Sequence, residues 1–437
     1  MPARAASITL LVLALTAGCI EDGDVELVSA GSAAAASAVH PSFLYGRITT
    51  VDGESYQGRL RFGGDQEAFW GDYFNGYKDG NPWVERVPEG QLGERPLLDL
   101  FGVEIGSRGP DGDFNRQMMA RFGDIAAIEA DGRDLWVRLR SGTEIHLSRY
   151  AADDFADGLR VWDRSGAVLD LDEGRVRRIE FMAPPPSDAA PPRRLYGTVR
   201  TRQGDFTGFV EWNRTGSLGS DELQGRTADG RVVRLPFDSI RAIERASPES
   251  ARVSLLDGRV LVLSGSRDVG RGGGGIFVDD VRYGRVLVSW EAFDRVDFLG
   301  FGGDGGGGGG PEGSGPGYAD FPVGGPLMGT VTTRAGRSFT GQLIYDLDES
   351  QTTETLDAPI GGVDYTIPFG MVASVALPAD GGRAVVTLRS GEELRLERGG
   401  DLGAGNAGVL VFVGGERREF VGWSEVVGVE FLGHTTR

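Results

Sequence analysis

One segment occurs three times along the chain, and it constrains the fold more than any other feature. The copies are "YGRITTVDGESYQGRLRF" from Tyr45, "YGTVRTRQGDFTGFVEW" from Tyr196 and "MGTVTTRAGRSFTGQLIY" from Met328. Each copy alternates apolar and polar residues on both sides of a polar, glycine-containing stretch, which predicts a β-hairpin in which the glycines form turns. The copies are too far apart for a solenoid, whose repeats run to roughly 20–50 residues. They therefore predict three tandem modules.

Further landmarks follow each copy in the same order. A triplet of apolar residues spaced by three suits one turn of 3₁₀ helix before a strand. The triplets are Phe122, Ile125, Ile128, then Phe237, Ile240, Ile243, and then Phe369, Val372, Val375. A strand–turn–strand pattern comes next ("VRLRSGTEIHL", "VSLLDGRVLVL", "VTLRSGEELRL"), and the modules close on "RRIEF", "DRVDF" and "VGVEF".

Each module also divides into two similar halves. In the second half of the second module, the hairpin "VSLLDGRVLVL" turns at Asp257-Gly258 and leads to Trp290, Phe293 and Val296. A half-module with several short strands resembles an SH3-like or Sm-like small barrel. We therefore predict an all-β protein of three tandem modules, each a duplicated small β barrel-like or sandwich unit of short antiparallel strands. Phe206 and Trp212 are expected in the core.

Two linkers set the module boundaries. A proline-rich segment covers residues 183–192 and a glycine-rich segment covers residues 301–324. Module 1 is predicted at 42–182 with an insertion at 63–117, module 2 at 193–300 and module 3 at 325–433. We expect few contacts to cross such linkers, so that each module folds on its own.

The only cysteine, Cys19, ends a short apolar run that has the layout of a signal peptide at residues 1–18. "LTAGC" resembles the lipobox of bacterial lipoproteins, although Thr16 replaces the usual leucine. The resemblance implies lipidation of Cys19 and anchoring in the cell envelope, with Ile20 favouring the outer membrane over the inner. The small residues that follow predict a tether at 19–41. The alternative is a free cysteine at the end of an ordinary signal peptide. One cysteine excludes a disulfide within the chain.

Charge and motifs exclude several functions. A net charge of -19 argues against nucleic acid as a partner. The histidines are too scattered for a zinc site, no G-x-S-x-G motif is present, and the single lysine, Lys78, is followed by Asp79 rather than by the Ser or Thr of a phosphate loop. The acidic segments at 109–115 and 346–350 are interpreted as solvated loops rather than calcium loops. No catalytic residue, metal or cofactor is predicted.

The insertion of module 1 begins with a run of aromatic and polar residues, "GGDQEAFWGDYFNGYKDGNPW". Aromatic rings beside amide and carboxylate groups are typical of sugar and peptide sites. Trp70, Tyr73, Asn75 and Trp83 are the candidate ligand-binding residues. The alternative is that these rings cover the core of module 1 or its contact with module 2.

Two functions are compatible with these patterns. The first is a non-enzymatic, surface-anchored lipoprotein that binds or scaffolds a cell-wall glycan or an envelope protein, with three modules adding avidity. The second is a carbohydrate-active hydrolase that uses a carboxylate pair near the aromatic insertion.

Overall fold

A computed structural model describes residues 41–63, 66–88, 91, 116–185, 192–214, 216–300, 316–414 and 417–433, together with the backbone of four short strands between 95 and 108. Cys19, the predicted signal peptide and nearly all of the predicted tether lie outside the described residues. The fold is all-β, as predicted, and consists mainly of three antiparallel sheets.

Each module contributes ten principal strands. Those of module 1 are β1 (Tyr45–Thr50), β2 (Ser55–Phe62), β3 (Tyr73–Lys78), β8 (Arg116–Arg121), β9 (Ile125–Asp131), β10 (Asp134–Leu139), β11 (Glu144–Ser148), β12 (Leu159–Asp163), β13 (Val168–Leu171) and β14 (Val176–Phe181). Its insertion adds β4 (Arg95–Pro96), β5 (Asp99–Leu100), β6 (Val103–Glu104) and β7 (Ser107–Arg108), and helix α1 spans Asp153–Ala156.

Modules 2 and 3 repeat this series of ten. Module 2 has β15 (Tyr196–Thr201), β16 (Gly204–Trp212), β17 (Glu222–Arg226), β18 (Val232–Pro236), β19 (Ile240–Ser247), β20 (Ser250–Leu255), β21 (Val260–Ser264), β22 (Ile276–Asp280), β23 (Gly284–Val288) and β24 (Phe293–Phe298). Module 3 has β25 (Met328–Thr333), β26 (Ser338–Tyr345), β27 (Thr355–Ile360), β28 (Val363–Pro368), β29 (Val372–Ala376), β30 (Ala384–Leu388), β31 (Glu393–Leu396), β32 (Gly408–Gly414), β33 (Arg417–Gly422) and β34 (Val426–Phe431).

The two halves of a module are interlocked. Counted within a module, the sheet order of modules 1 and 2 is ninth, eighth, second, first, tenth, fifth, sixth, seventh, third, fourth. The second strand of the first half thus pairs with the eighth strand, which belongs to the second half. The seventh strand of the second half pairs in turn with the third. The halves are therefore not separate barrels, because neither half completes its sheet alone.

The predicted triplets lie where the helical turns join the sheets. The 3₁₀ turns Phe122–Asp124, Phe237–Ser239 and Phe369–Met371 each precede the fifth strand of their module, and all nine triplet side chains are buried. Phe206 and Trp212 are buried too, as predicted.

The glycines of the repeated segment have two different roles. Gly53 forms the hairpin turn with φ 89°, as expected. Gly46 and Gly58, however, are cross-strand partners inside the sheet. A Cβ on Gly58 would lie 1.8 Å from the carbonyl oxygen of Trp162 on the neighbouring strand, so any side chain is excluded there. The interpretation of these two glycines as turn residues is wrong, because close backbone approach requires them.

The expectation that few contacts join the modules is also wrong. The hairpin β27–β28 of module 3 lies on the sheet of module 2, where β28 pairs with β23 and completes a 12-stranded sheet. One continuous core of buried apolar side chains runs through both modules. Tyr318 and Phe321, from the predicted glycine-rich linker, pack into the core of module 1. All three modules are consequently packed against one another.

Candidate functional site

Trp70, the first of the sequence-predicted binding residues, lies between module 1 and its neighbours. Its half-buried ring is 6.1 Å from that of Phe321 and 5.3 Å from the guanidinium carbon of Arg121. Its carbonyl accepts a hydrogen bond of 2.8 Å from Nη1 of Arg194 in module 2. The ring and the backbone carbonyl of Trp70 therefore both take part in packing.

Tyr73 is buried against module 2, and its burial raises the pKa of the phenol well above its usual value. Asn75 is half-buried and bonded within module 1: its amide nitrogen Nδ2 donates to Asp154 Oδ2 over 2.9 Å, and its backbone N–H donates to the same oxygen. Burial raises the pKa of Asp154 to about 7.

Trp83 lies against module 3. Its half-buried ring meets Phe412 edge-on at 6.2 Å, and its backbone N–H donates to Asn81. Asn81 in turn donates to the carbonyl of Leu347 in module 3 over 3.0 Å. Among the described residues, the four candidates thus contact different parts of the molecule and do not line one shared cleft. Their role in ligand binding stays a prediction.

A repeated acidic residue organises the loop after the second strand of every module. The carboxylate of Asp72 accepts hydrogen bonds from the backbone N–H groups of Glu67 and Ala68, both at 2.7 Å. Asp221 and Glu354 do the same for the corresponding loops of modules 2 and 3. Each acidic residue directly precedes the third strand, which is a signal that sequence inspection could have found.

Each of these carboxylates also pairs with a cation from another module. Asp72 faces Arg194 of module 2 at 3.6 Å, Asp221 faces Arg61 of module 1 at 3.8 Å, and Glu354 faces Lys78 of module 1 at 2.5 Å. The loops therefore join module 1 to each of the other two modules. The sequence did not reveal these pairs, since each one brings together residues that are far apart in the chain.

In each module, the second, eighth and ninth strands present a surface that points away from the core of that module. These three outer faces are equivalent docking surfaces. In module 2 this face carries Glu211, Phe277 and Arg285, and it is covered by module 1: Arg285 pairs with Glu211 and donates to the carbonyl of Gly71 over 2.6 Å, and its guanidinium carbon is 5.5 Å from the ring of Tyr73.

The outer face of module 3 is apolar and is likewise covered by module 1. Ile344 and Leu410 are fully buried in a cluster that includes Val87, with Trp83 packed against it. The predicted insertion of module 1 therefore supplies both covers, because Gly71 and Tyr73 lie against module 2 and Trp83 and Val87 lie against module 3.

The outer face of module 1 is different, because it lines a cleft of about 640 Å³ facing module 2. Strand register places Arg61 and Arg160 side by side, with Asp170 beyond them. The charged residues that line the cleft are Arg61, Arg160, Asp157, Asp170, Asp172 and Asp221, so that acidic groups outnumber basic groups by two. This is the candidate functional site.

The carboxylates of the cleft are held by an ion pair and by backbone hydrogen bonds. Arg160 donates to both oxygens of Asp170, at 2.7 and 2.8 Å, and this lowers the pKa of Asp170. Asp172 accepts from the backbone N–H of Arg175, and Asp221 is held in its loop. Throughout the described part of the chain, no group of three or more His, Cys, Asp or Glu side chains is placed to hold a metal ion.

Comparisons of the chain with protein-family models, with curated proteins and with solved structures find no match. Within the described ranges, none of the helices has the length and apolar character needed to cross a membrane.

Proposed function

We propose that the protein is a non-enzymatic, lipid-anchored binding and scaffold protein of the bacterial cell envelope, and that the cleft between modules 1 and 2 is its binding site. The observation that carries the proposal is the contrast among the three equivalent outer faces. Two are covered by module 1, while that of module 1 itself meets module 2 at the Arg61–Asp221 pair and also lines a charged cleft.

The charge of the cleft favours one of the two partner classes expected from the sequence. An excess of carboxylates in a chain of net charge -19 attracts ammonium and guanidinium groups. An envelope protein that presents a segment rich in lysine or arginine fits this chemistry better than a neutral glycan does. The packed modules support a preorganised site, because ordering the cleft costs little on binding.

Binding to a cationic peptide tests this proposal. We expect fluorescence anisotropy to show that a labelled oligolysine peptide binds, that salt weakens the binding, and that Asp157→Asn reduces the affinity, because it removes one cleft carboxylate. Asp205→Asn is the matched control, since Asp205 is exposed on β16 and does not line the cleft. Equal effects of the two variants on peptide affinity would contradict the assignment of a cationic partner. So would a soluble cell-wall glycan fragment that binds more tightly than the peptide and whose affinity Asp157→Asn leaves unchanged.

The anchor is supported by the sequence around Cys19. We expect the chain expressed in a bacterial host to incorporate palmitate and to fractionate with the outer membrane, and we expect Cys19→Ala to lose both properties. Palmitate labelling that persists in Cys19→Ala would show that this cysteine is not the lipid attachment site.

A further inference from the structure

The contact between modules 2 and 3 joins a ninth strand to a fourth strand. β23 and β28 pair antiparallel, with Arg285 opposite Thr366 and Leu287 opposite Asp364. Without this contact, β23 would be an edge strand of module 2 and β28 an edge strand of the β27–β28 hairpin. The pairing covers both edges. This is strand addition of the kind by which sheets recruit extended partners.

The ninth strand of module 1 and the fourth strand of module 2 also lie at the ends of sheets. β13 ends the sheet of module 1 and β18 ends the sheet of module 2. Among the described strands, β13 pairs only with β12, and β18 pairs only with β17. Val168 on β13 is 42% exposed and Val232 on β18 is 48% exposed, as expected for free edges.

Both edges present backbone groups in the same arrangement. The hairpin before β13 is closed by a bond from Asp163 N–H to the Ala167 carbonyl, and that before β18 by a bond from Thr227 N–H to the Arg231 carbonyl. In an antiparallel pair, every second residue of a strand forms hydrogen bonds with the partner strand, and here that series begins at Ala167 and at Arg231. The N–H groups of Val168 and Asp170, and likewise those of Val232 and Arg234, therefore point away from the sheet.

The register seen between modules 2 and 3 makes the two free edges complementary. On the ninth strands, Val168 is equivalent to Arg285 and Asp170 to Leu287. On the fourth strands, Val232 is equivalent to Asp364 and Arg234 to Thr366. A pairing of the same kind sets Val168 opposite Arg234 and Asp170 opposite Val232. Asp170 and Arg234 then lie diagonally across the two strands, where opposite charges attract.

The other two such edges are less suited to pairing. β33 of module 3 carries three successive charged residues, Arg417, Arg418 and Glu419, which oppose edge-to-edge association. β8 of module 1 has most of its residues buried, and its Arg116 contacts Asp348 of module 3.

We propose that β13 of one molecule pairs with β18 of a second copy of this chain, in the register that β23 and β28 use within the chain. The two surfaces differ, so after one contact each molecule keeps one unused edge, which is β18 in one molecule and β13 in the other. Such head-to-tail contacts build extended assemblies or rings. The inference does not depend on the cationic ligand proposed for the cleft.

Proline substitution separates the two edges. Proline is tolerated where the N–H of an edge strand faces outward, but it blocks addition of a further strand. In the full chain carrying Cys19→Ala, so that no lipid drives association, we expect sedimentation velocity to show concentration-dependent assembly. Val168→Pro alone and Val232→Pro alone should each be monomeric, and an equimolar mixture of the two should form a 1:1 dimer, because only one complementary pair of edges remains.

Val260→Pro is the matched control. Val260 follows the same kind of turn, where Leu255 N–H donates to the Arg259 carbonyl. It is the first residue of β21, a position that tolerates proline, and β21 lies inside the sheet and is neither a ninth nor a fourth strand. This variant should assemble like the parent chain. The proposal would be overturned if the parent chain stayed monomeric at its solubility limit or if both proline variants still assembled. It would also be overturned if Val260→Pro lost assembly to the same extent as they do.

A charge exchange tests the register without disturbing the backbone. Arg234→Glu places an acidic group diagonal to Asp170 and should weaken assembly several-fold. Adding Asp170→Arg to that variant should restore it. Failure of both effects, in variants whose circular dichroism matches the parent, would overturn the register.

Discussion

Lys78 of module 1 and Glu354 of module 3 form an ion pair of 2.5 Å in which both side chains are almost fully buried. The ammonium group also lies 2.6 Å from Asp348. Burial by itself would lower the pKa of Lys78, but the two carboxylates raise it above its usual value, so the lysine is charged at neutral pH. The only lysine of the chain thus joins its first module to its third.

Removal of that charge should destabilise the whole molecule. Lys78→Met leaves the carboxylates of Asp348 and Glu354 buried without this partner, and breaking a buried pair in this way typically costs about 3–5 kcal/mol. Urea denaturation measures the loss. Arg231→Met is the control, because its pair with Asp229 is exposed and surface pairs contribute roughly 0–1 kcal/mol. A comparable, small loss in both variants would show that the buried pair does not hold the modules together.

Asp154 should make stability fall as pH rises towards neutrality. Burial raises its pKa to about 7 in the folded protein, well above the ordinary value that applies in the unfolded chain. Between about pH 4 and pH 7 the folded state therefore keeps a proton that the unfolded state has lost, and the stability from this group decreases by at most about 1.4 kcal/mol per pH unit.

Asp154→Asn should flatten that part of the pH dependence, because the amide does not ionise and its oxygen still accepts from Asn75. Thermal melts recorded from pH 4 to pH 7 give the comparison. Asp153→Asn, at the exposed neighbouring position, should follow the parent protein. Parallel curves for Asp154→Asn and the parent would show that Asp154 is ionised in the folded state over this range.

Trp83→Ala should lower stability by weakening the contact between modules 1 and 3. Its ring is half-buried against Phe412, and full burial of a large apolar side chain contributes about 1.5–3 kcal/mol, so we expect a loss of about 1–2 kcal/mol. Trp136→Ala, with 43% exposure on β10, should cost less. If Trp83→Ala left the melting temperature unchanged but weakened ligand binding, the sequence-based assignment of Trp83 to a binding site would be favoured instead.

Fragments should show that modules 2 and 3 fold together. Residues 193–433 retain the pairing of β23 with β28 and the aromatic contacts of Tyr365 with Phe206 and Tyr283. We expect this fragment to melt in one cooperative transition. Residues 325–433 alone leave the β27–β28 hairpin without its sheet and should be markedly less stable by circular dichroism. Equal melting temperatures for the two fragments would support independent modules.

The features that the sequence alone determined are local and repeated. Alternation of apolar residues predicted the strands, and spacing by three predicted the turn at Phe237. Repetition at three places made each assignment stronger. These predictions depend on the direction of neighbouring side chains along one strand or turn, which the backbone period sets.

The tertiary structure decided how the units join. Nothing in the local pattern of β28 tells whether it pairs with its own module or with β23, since a strand edge offers the same backbone groups to either. The aromatic run of module 1 presents the same difficulty, because rings that bind a ligand and rings that cover another module have the same composition. Only the positions of Arg285 against Tyr73 and of Phe412 against Trp83 show what those rings contact, and both contacts bring together residues that are distant in the chain.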